Sequence, residues 1–159
     1  MKGDAFFEVE LKRVREGAKI PNFHSDMAAA VDLHACIDGP VSIPPRSPSV
    51  LVPTGISISI RRSHVVALLF PRSGLGHKQG LVMGNGTGVI DADYQGEIMV
   101  PCWNRNLEMD AKCIVINPGD RIAQMVLMPI FRPQFVEVTE FGDETARADG
   151  GWGSTGVAA

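Results

Sequence analysis

The sequence predicts an all-β fold, a distorted jelly-roll or β-barrel of short strands, and three observations predict it. Its apolar runs are strand-length, turn signals separate them at close and regular spacing, and no helical periodicity lasts more than a couple of turns. A chain of 159 residues suits one domain. Its 17 glycines and 11 prolines are spread without a period, as many turns between short strands require.

The elements follow in order. Ile56, Ile58 and Ile60 alternate with Ser57 and Ser59, the period of two expected of a half-buried strand. Val65 to Phe70 is a continuous apolar run closed by Pro71, long enough for a buried strand and too short for a helix. Ile98 to Trp103 and Cys113 to Ile116 read the same way. Arg121 to Ile130 fits a strand or a helix, and Phe135 to Val138 is expected as a last short strand. Pro44-Pro45, Pro53-Thr54-Gly55, Gly84-Asn85-Gly86 and Asn117-Pro118-Gly119-Asp120 punctuate these runs as turns. The domain is expected over residues 1–142. Residues 143–159 are polar and then glycine-rich, too poor in apolar side chains to offset their ordering entropy. Yet that arm carries Arg147 and Trp152 among glycines, followed by Ser154-Thr155-Gly156, which suits a segment that folds over a ligand.

Fifteen Lys and Arg face eighteen Asp and Glu, a net charge of −3. That excludes a generally basic nucleic-acid binder but allows a small anion held by a local cluster of donors. No run approaches the roughly 18 apolar residues of a membrane span. Met1 to Glu10 mixes charged and apolar residues without a signal-peptide core, so a cytoplasmic chain with no membrane partner is expected. Cys36, Cys102 and Cys113 form no C-x-x-C pair and each borders an apolar run, so buried reduced thiols are expected.

Four further segments carry chemistry. Asp32 is an isolated carboxylate among small apolar residues, Ala28 to Leu33, and needs a salt-bridge partner or a hydrated cation. Pro71-Arg72-Ser73-Gly74-Leu75-Gly76 follows a buried strand and can aim backbone N–H groups, a hydroxyl and a guanidinium at one anion; an ordinary strand-end turn is the alternative. In Gly84 to Glu97, glycines allow close backbone approach, Tyr94 can floor a flat ligand, and Asp91 after Val89-Ile90 is expected to be partly desolvated, as a base requires. Asp91 and Asp93 as a solvated turn pair remain the plainer reading. In Asn117 to Gln124, a surface pairing of Asp120 or Arg121 is the plain expectation, and Gln124 is the one uncharged polar side chain in the apolar run after it.

In this order and spacing, these segments and the arm resemble the homotrimeric dUTP pyrophosphatases (dUTPases), and Pro71 to Lys78 is similar to their bacterial branch. Ala30 and Ala148 stand where glycine is common in the family, and Trp152 where phenylalanine is usual. Asn106 to Cys113 is longer than in bacterial relatives, which would lengthen a hairpin loop. The resemblance implies Mg²⁺-dependent hydrolysis of dUTP to dUMP and pyrophosphate, which keeps dUTP low and supplies dUMP. It implies Asp91 as the base that activates water. Asn85, Gly88, Tyr94, Met99 and Trp152 would contact the uracil and deoxyribose. Arg72, Ser73, Gly74, Gln124, Arg147, Ser154 and Thr155 would hold the phosphates. Mg²⁺ would bind through phosphate oxygens and waters, with Asp32 a candidate outer acceptor. It also implies a homotrimer with sites shared between chains. A dCTP deaminase of the same fold, for which Glu97 is the one available proton carrier, and a non-catalytic dUTP-binding regulator are the rival readings. Removing the residues after Asp143 is expected to spare folding and cripple turnover; circular dichroism and kcat/KM of the shortened chain check this.

Overall fold

The computed structural model describes residues 7–107, 112–143 and 145. Among them are eleven strands and one short helix. The strands are β1 (Glu10–Arg13), β2 (Val31–His34), β3 (Val41–Ile43), β4 (Val50–Pro53), β5 (Ile56–Ser59), β6 (Val65–Phe70), β7 (Leu81–Met83), β8 (Gly88–Ile90), β9 (Met99–Asn104), β10 (Ile114–Ile116) and β11 (Arg121–Pro129). The helix α1 (Ser73–Lys78) lies between β6 and β7. The largest sheet has the order β2-β11-β6-β8, a second has β4-β9-β7, and β1-β5 and β10-β3 form two ribbons. Each pairing is antiparallel. All four sheets turn apolar side chains into one core, in which Leu33, Ile43, Ile56, Leu69, Ile98 and Ile116 are fully buried. No described helix is long and apolar enough to cross a membrane.

The turns follow their local chemistry. At Asn117–Asp120, Pro118 presets one central residue and Gly119 takes φ 82°, while the Asp120 N–H donates to the Asn117 carbonyl at 3.1 Å. The Asp120 carboxylate caps the same turn, accepting from the Asn117 N–H at 2.8 Å, so its partner is the turn itself.

Several expectations are corrected. Arg121 to Pro129 is a strand throughout, decided by its pairing with β2 on one side and β6 on the other. Phe135 to Val138 forms no strand among the described residues, because no described strand offers it a ladder; Phe131 and Phe135 are 100% and 91% exposed. The Ile56–Ile60 strand is covered on both faces, and the buried Ser57 hydroxyl donates to the Gln95 carbonyl at 2.7 Å. Of the cysteines, only Cys102 is buried, and burial pushes its thiol up to about 12; Cys36 is half-buried and Cys113 exposed. The stretch between β9 and β10 is a crossover between two sheets, not a hairpin loop. Its start is fixed where the Asn106 side chain donates to the Gln79 carbonyl behind α1 at 2.9 Å and the Arg105 N–H to the Gly80 carbonyl at 3.0 Å. The expected boundary at 142/143 has most of its C-terminal side, including Arg147, Trp152, Ser154 and Thr155, outside the described residues.

Gly55 is a tight turn position. It takes φ 72°, and a Cβ there would sit 2.7 Å from both Ala18 Cβ and Cys36 Sγ. Gly55→Ala therefore adds left-handed strain to a clash with the Ala18 and Cys36 side chains. It is expected to cost roughly 2–4 kcal/mol, a fall of roughly 5–15 °C in Tm that differential scanning calorimetry would record.

Candidate active site

The two-residue period of β2 buries Val31 and Leu33 and turns Asp32 and His34 to the opposite face. Opposite them, β11 carries a bulge: Arg121 pairs His34 and Gln124 pairs Asp32, so Ile122 and Ala123 together face the single residue Leu33. Both bulge residues are buried. The extra residue resets the alternation and brings Arg121 and Gln124 to the same face as Asp32. Without it, Gln124 would point inward whenever Arg121 points outward.

On that face Asp32 is clamped between two guanidiniums. Its Oδ1 accepts from Arg72 Nε at 2.8 Å and its Oδ2 from Arg121 Nη1 at 3.2 Å. Arg72 follows β6 as the residue before α1, and Gln124 Nε2 holds the strand end by donating to the Pro71 carbonyl at 3.0 Å. The Arg72–Asp32 ion pair closes through Nε on Oδ1. Ala30, Asp32, Arg72, Ser73, Gly74 and Gln124 line one cavity of ≈350 Å³. A Cβ at Gly74 would meet nothing within 4 Å, so packing within the chain does not require glycine there. The expected anion loop is thus a short helix opening at Ser73, whose first N–H groups have no helical acceptors.

The other expected residues lie on β8 and β9 and in the loops beside them. Met83 to Gly86 is a turn closed by the Gly86 N–H on the Met83 carbonyl at 3.0 Å, and it exposes Asn85. Gly88 is buried against Leu69, whose side chain lies 3.0 Å from where a Cβ would stand. Its glycine is therefore explained by packing as well as by access. Tyr94 covers Gly96, and its hydroxyl donates to the Glu97 carbonyl at 3.0 Å. Met99 opens β9 opposite Pro53 and is half-buried. Asp91 was expected to be partly desolvated and is exposed: it follows β8, the outer strand of its sheet, where Val89 is itself 62% exposed.

The register measures how far apart these groups lie. Ala67 pairs Ile90, which sets Asp91 level with Val66, six residues before Arg72 along the same strand direction. At about 3.3 Å per residue that is roughly 20 Å. One copy thus holds the cavity beside Arg72 past one end of β6 and the Asp91 carboxylate level with its other end. Sequence reasoning passed over Arg121 as a surface pair and did not single out His24, whose Nε2 contacts Arg121 Nη1 and lies 3.9 Å from Asp32. Neither signal was legible, because both depend on the bulge and on the loop folding back over β2.

Fold and site together define an all-β protein with an arginine-lined cavity built on Asp32 and, apart from it, the exposed Asp91 carboxylate. Residues 16–156 match the dUTPase family, and the chain belongs to it. It is 46% identical over 144 residues to the deoxyuridine 5'-triphosphate nucleotidohydrolase of Hydrogenovibrio crunogenus, covering 91% of each chain. It is 48% identical over 145 residues to the enzyme of the same name from Coxiella burnetii, again covering 91% of each. Among solved structures it resembles a mutant dUTPase of Staphylococcus bacteriophage 80alpha bound to dUpNHpp, with a TM-score of 0.83 and 27% identity over 94% of this chain and 99% of that one. A mutant dUTPase of the S. aureus phage phi11, described with a structural Mg(II) ion, matches with a TM-score of 0.75 and 25% identity over 86% of this chain.

Glu97 has a structural task. Its Oε1 accepts from Arg15 Nε at 2.6 Å and from the Gly55 N–H at 2.9 Å, and its Oε2 from Arg15 at 3.0 Å. The Arg15 hydrogen bond holds the carboxyl below its usual range, the Gly55 N–H adds to this, and burial opposes it. A depressed carboxylate contributes stability that is complete above its unfolded value, about 4.3 for glutamate, and is lost as pH falls through the lower folded value. Glu97→Gln is expected to lower Tm by a few degrees at pH 7 and to flatten the decline of Tm below about pH 4.3; a series of melting curves checks this.

Proposed function

We propose that this dUTPase hydrolyses dUTP to dUMP and diphosphate by attack of water on the α-phosphorus, with Asp91 accepting the water's proton. The bond from the α-phosphorus to the bridging oxygen breaks, and diphosphate leaves. The observation that carries this reading is the cavity built on Asp32, Arg72, Ser73, Gly74 and Gln124, a cluster of donors fitted to phosphate oxygens. A triphosphate needs its charge spread onto fixed cations and dipoles as the transition state forms. Arg72 does this from a pre-set direction, because Asp32 holds its Nε.

Base and sugar are read by the residues on and beside β8 and β9. Asn85 and backbone groups near Gly88 and Met99 would bond the uracil edge, and Tyr94 would pack against the sugar. Cytosine presents a donor where an acceptor is expected, and a site built on such bonds rejects the wrong group by roughly 10⁴-fold or more. Trp152 would stack on the base for about 1–3 kcal/mol. Arg147, Ser154 and Thr155 would close on the distal phosphates.

The separation of roughly 20 Å supports a homotrimer. In it, the Asp91 end of one copy meets the Arg72 end of the next, a head-to-tail contact that closes as a ring. Among the described residues no three His, Cys, Asp or Glu gather as a ligand set, and both Asp32 oxygens already accept from guanidiniums. Mg²⁺ would be held by the substrate's phosphate oxygens and waters, with Asp32 a candidate outer acceptor. When bound, Mg²⁺ supplies further charge neutralisation. Against the deaminase reading, Glu97 is committed to Arg15 and Gly55. A regulator that only binds dUTP would release no product.

Incubation with dUTP and Mg²⁺, followed by separation of products, tests the proposal. The expected outcome is dUMP and diphosphate, with kcat lowered about 10²- to 10⁴-fold in Asp91→Asn and KM little changed. Intact dUTP, or full activity in that variant, would refute it.

A further inference from the structure

The Asp32–Arg121 pair has a second side. Behind it lies another cavity, of ≈370 Å³, whose wall includes Lys19, Asn22, His24, His34, Asp120 and Arg121. The proposed hydrolysis uses none of Lys19, Asn22 or His34.

Both carboxylates that border this cavity are already engaged. Asp32 accepts from Arg72 and Arg121, and Asp120 Oδ2 accepts from the Asn117 N–H at 2.8 Å and lies 3.3 Å from its side-chain amide. The Lys19 ammonium donates only to the Gly119 carbonyl, at 3.2 Å, and forms no ion pair with a described carboxylate. Nδ1 of His34 is buried without a hydrogen-bonding partner among the described residues. Burial and then the charge of Lys19 lower the pKa of that ring, Arg121 and Arg72 act in the same direction, and Asp32 opposes them. The cavity therefore brings together the Lys19 ammonium, the Asn22 amide and the Arg121 guanidinium. Those are the donors of a phosphate site.

We propose that this cavity binds a small polyphosphate anion, inorganic diphosphate being the one the reaction releases, and that its occupancy is felt at the substrate phosphates through Arg121. The inference rests on the hydrolysis proposed above. An anion here competes with Asp32 for Arg121. Asp32 then loses the partner on its Oδ2, and the carboxylate that orients Arg72 through Oδ1 is free to turn. Product would slow turnover from behind the site as well as by occupying it.

The test is inhibition of dUTP hydrolysis by added diphosphate at fixed free Mg²⁺, with calorimetric titration of diphosphate alongside. Wild type is expected to show mixed inhibition and two classes of site. Lys19→Ala is expected to keep kcat and KM, to lose one class of site, and to weaken the kcat component of inhibition about tenfold or more. Lys19→Arg should restore it. Purely competitive inhibition in wild type, or unchanged mixed inhibition in Lys19→Ala, would overturn the proposal. Absence of any dUTP turnover would instead overturn the hydrolase reading, and the titration would still report on this cavity.

Discussion

The carboxylate of Asp32 is the contact on which the rest of the site depends. A lone acid on a half-covered sheet face is costly unless its charge is matched, and two guanidiniums match it here. What the sheet gains is direction. Arg72 comes from the end of β6 and Arg121 from the start of β11, and a single anion ties both to β2. Two arginines held by one carboxylate leave a net positive charge, which suits an anion.

That arrangement needs the bulge at Ile122-Ala123. A regular strand alternates its faces, so Arg121 and Gln124, three residues apart, would lie on opposite sides. The bulge costs one unpaired position in the ladder and gains two site residues on one face. Burial of both bulge residues in the core fixes its location. Stability and site geometry are therefore coupled at this point, and a change that relieved the bulge would dismantle the cavity before it unfolded the barrel.

A second latch is built on Glu97. Glu97 joins Arg15 and Gly55, and Tyr94 lies over Gly96 to bond the Glu97 carbonyl. This latch stands apart from the strands that hold Asp32, Arg72 and Arg121. Asp91 and the aromatic residues Phe131 and Phe135 after β11 are exposed in the single chain.

By itself the sequence determined the all-β class, the turn positions, the apolar core strands and the residue types able to bind phosphates. These depend on nearest-neighbour chemistry: the period of two, the φ freedom of glycine and the fixed φ of proline. It also marked Asp32, Arg72, Gln124, Asn85 and Asp91 as residues of interest, since each is polar or charged where its neighbours are apolar or turn-forming. Only the tertiary structure decided which of them meet. The Asp32–Arg121 pair spans 89 residues, and the Arg15–Glu97 latch spans 82. Contacts at that range are set by sheet register, and one extra residue in β11 reversed a face. Register is a collective property of paired strands, so no local pattern records it.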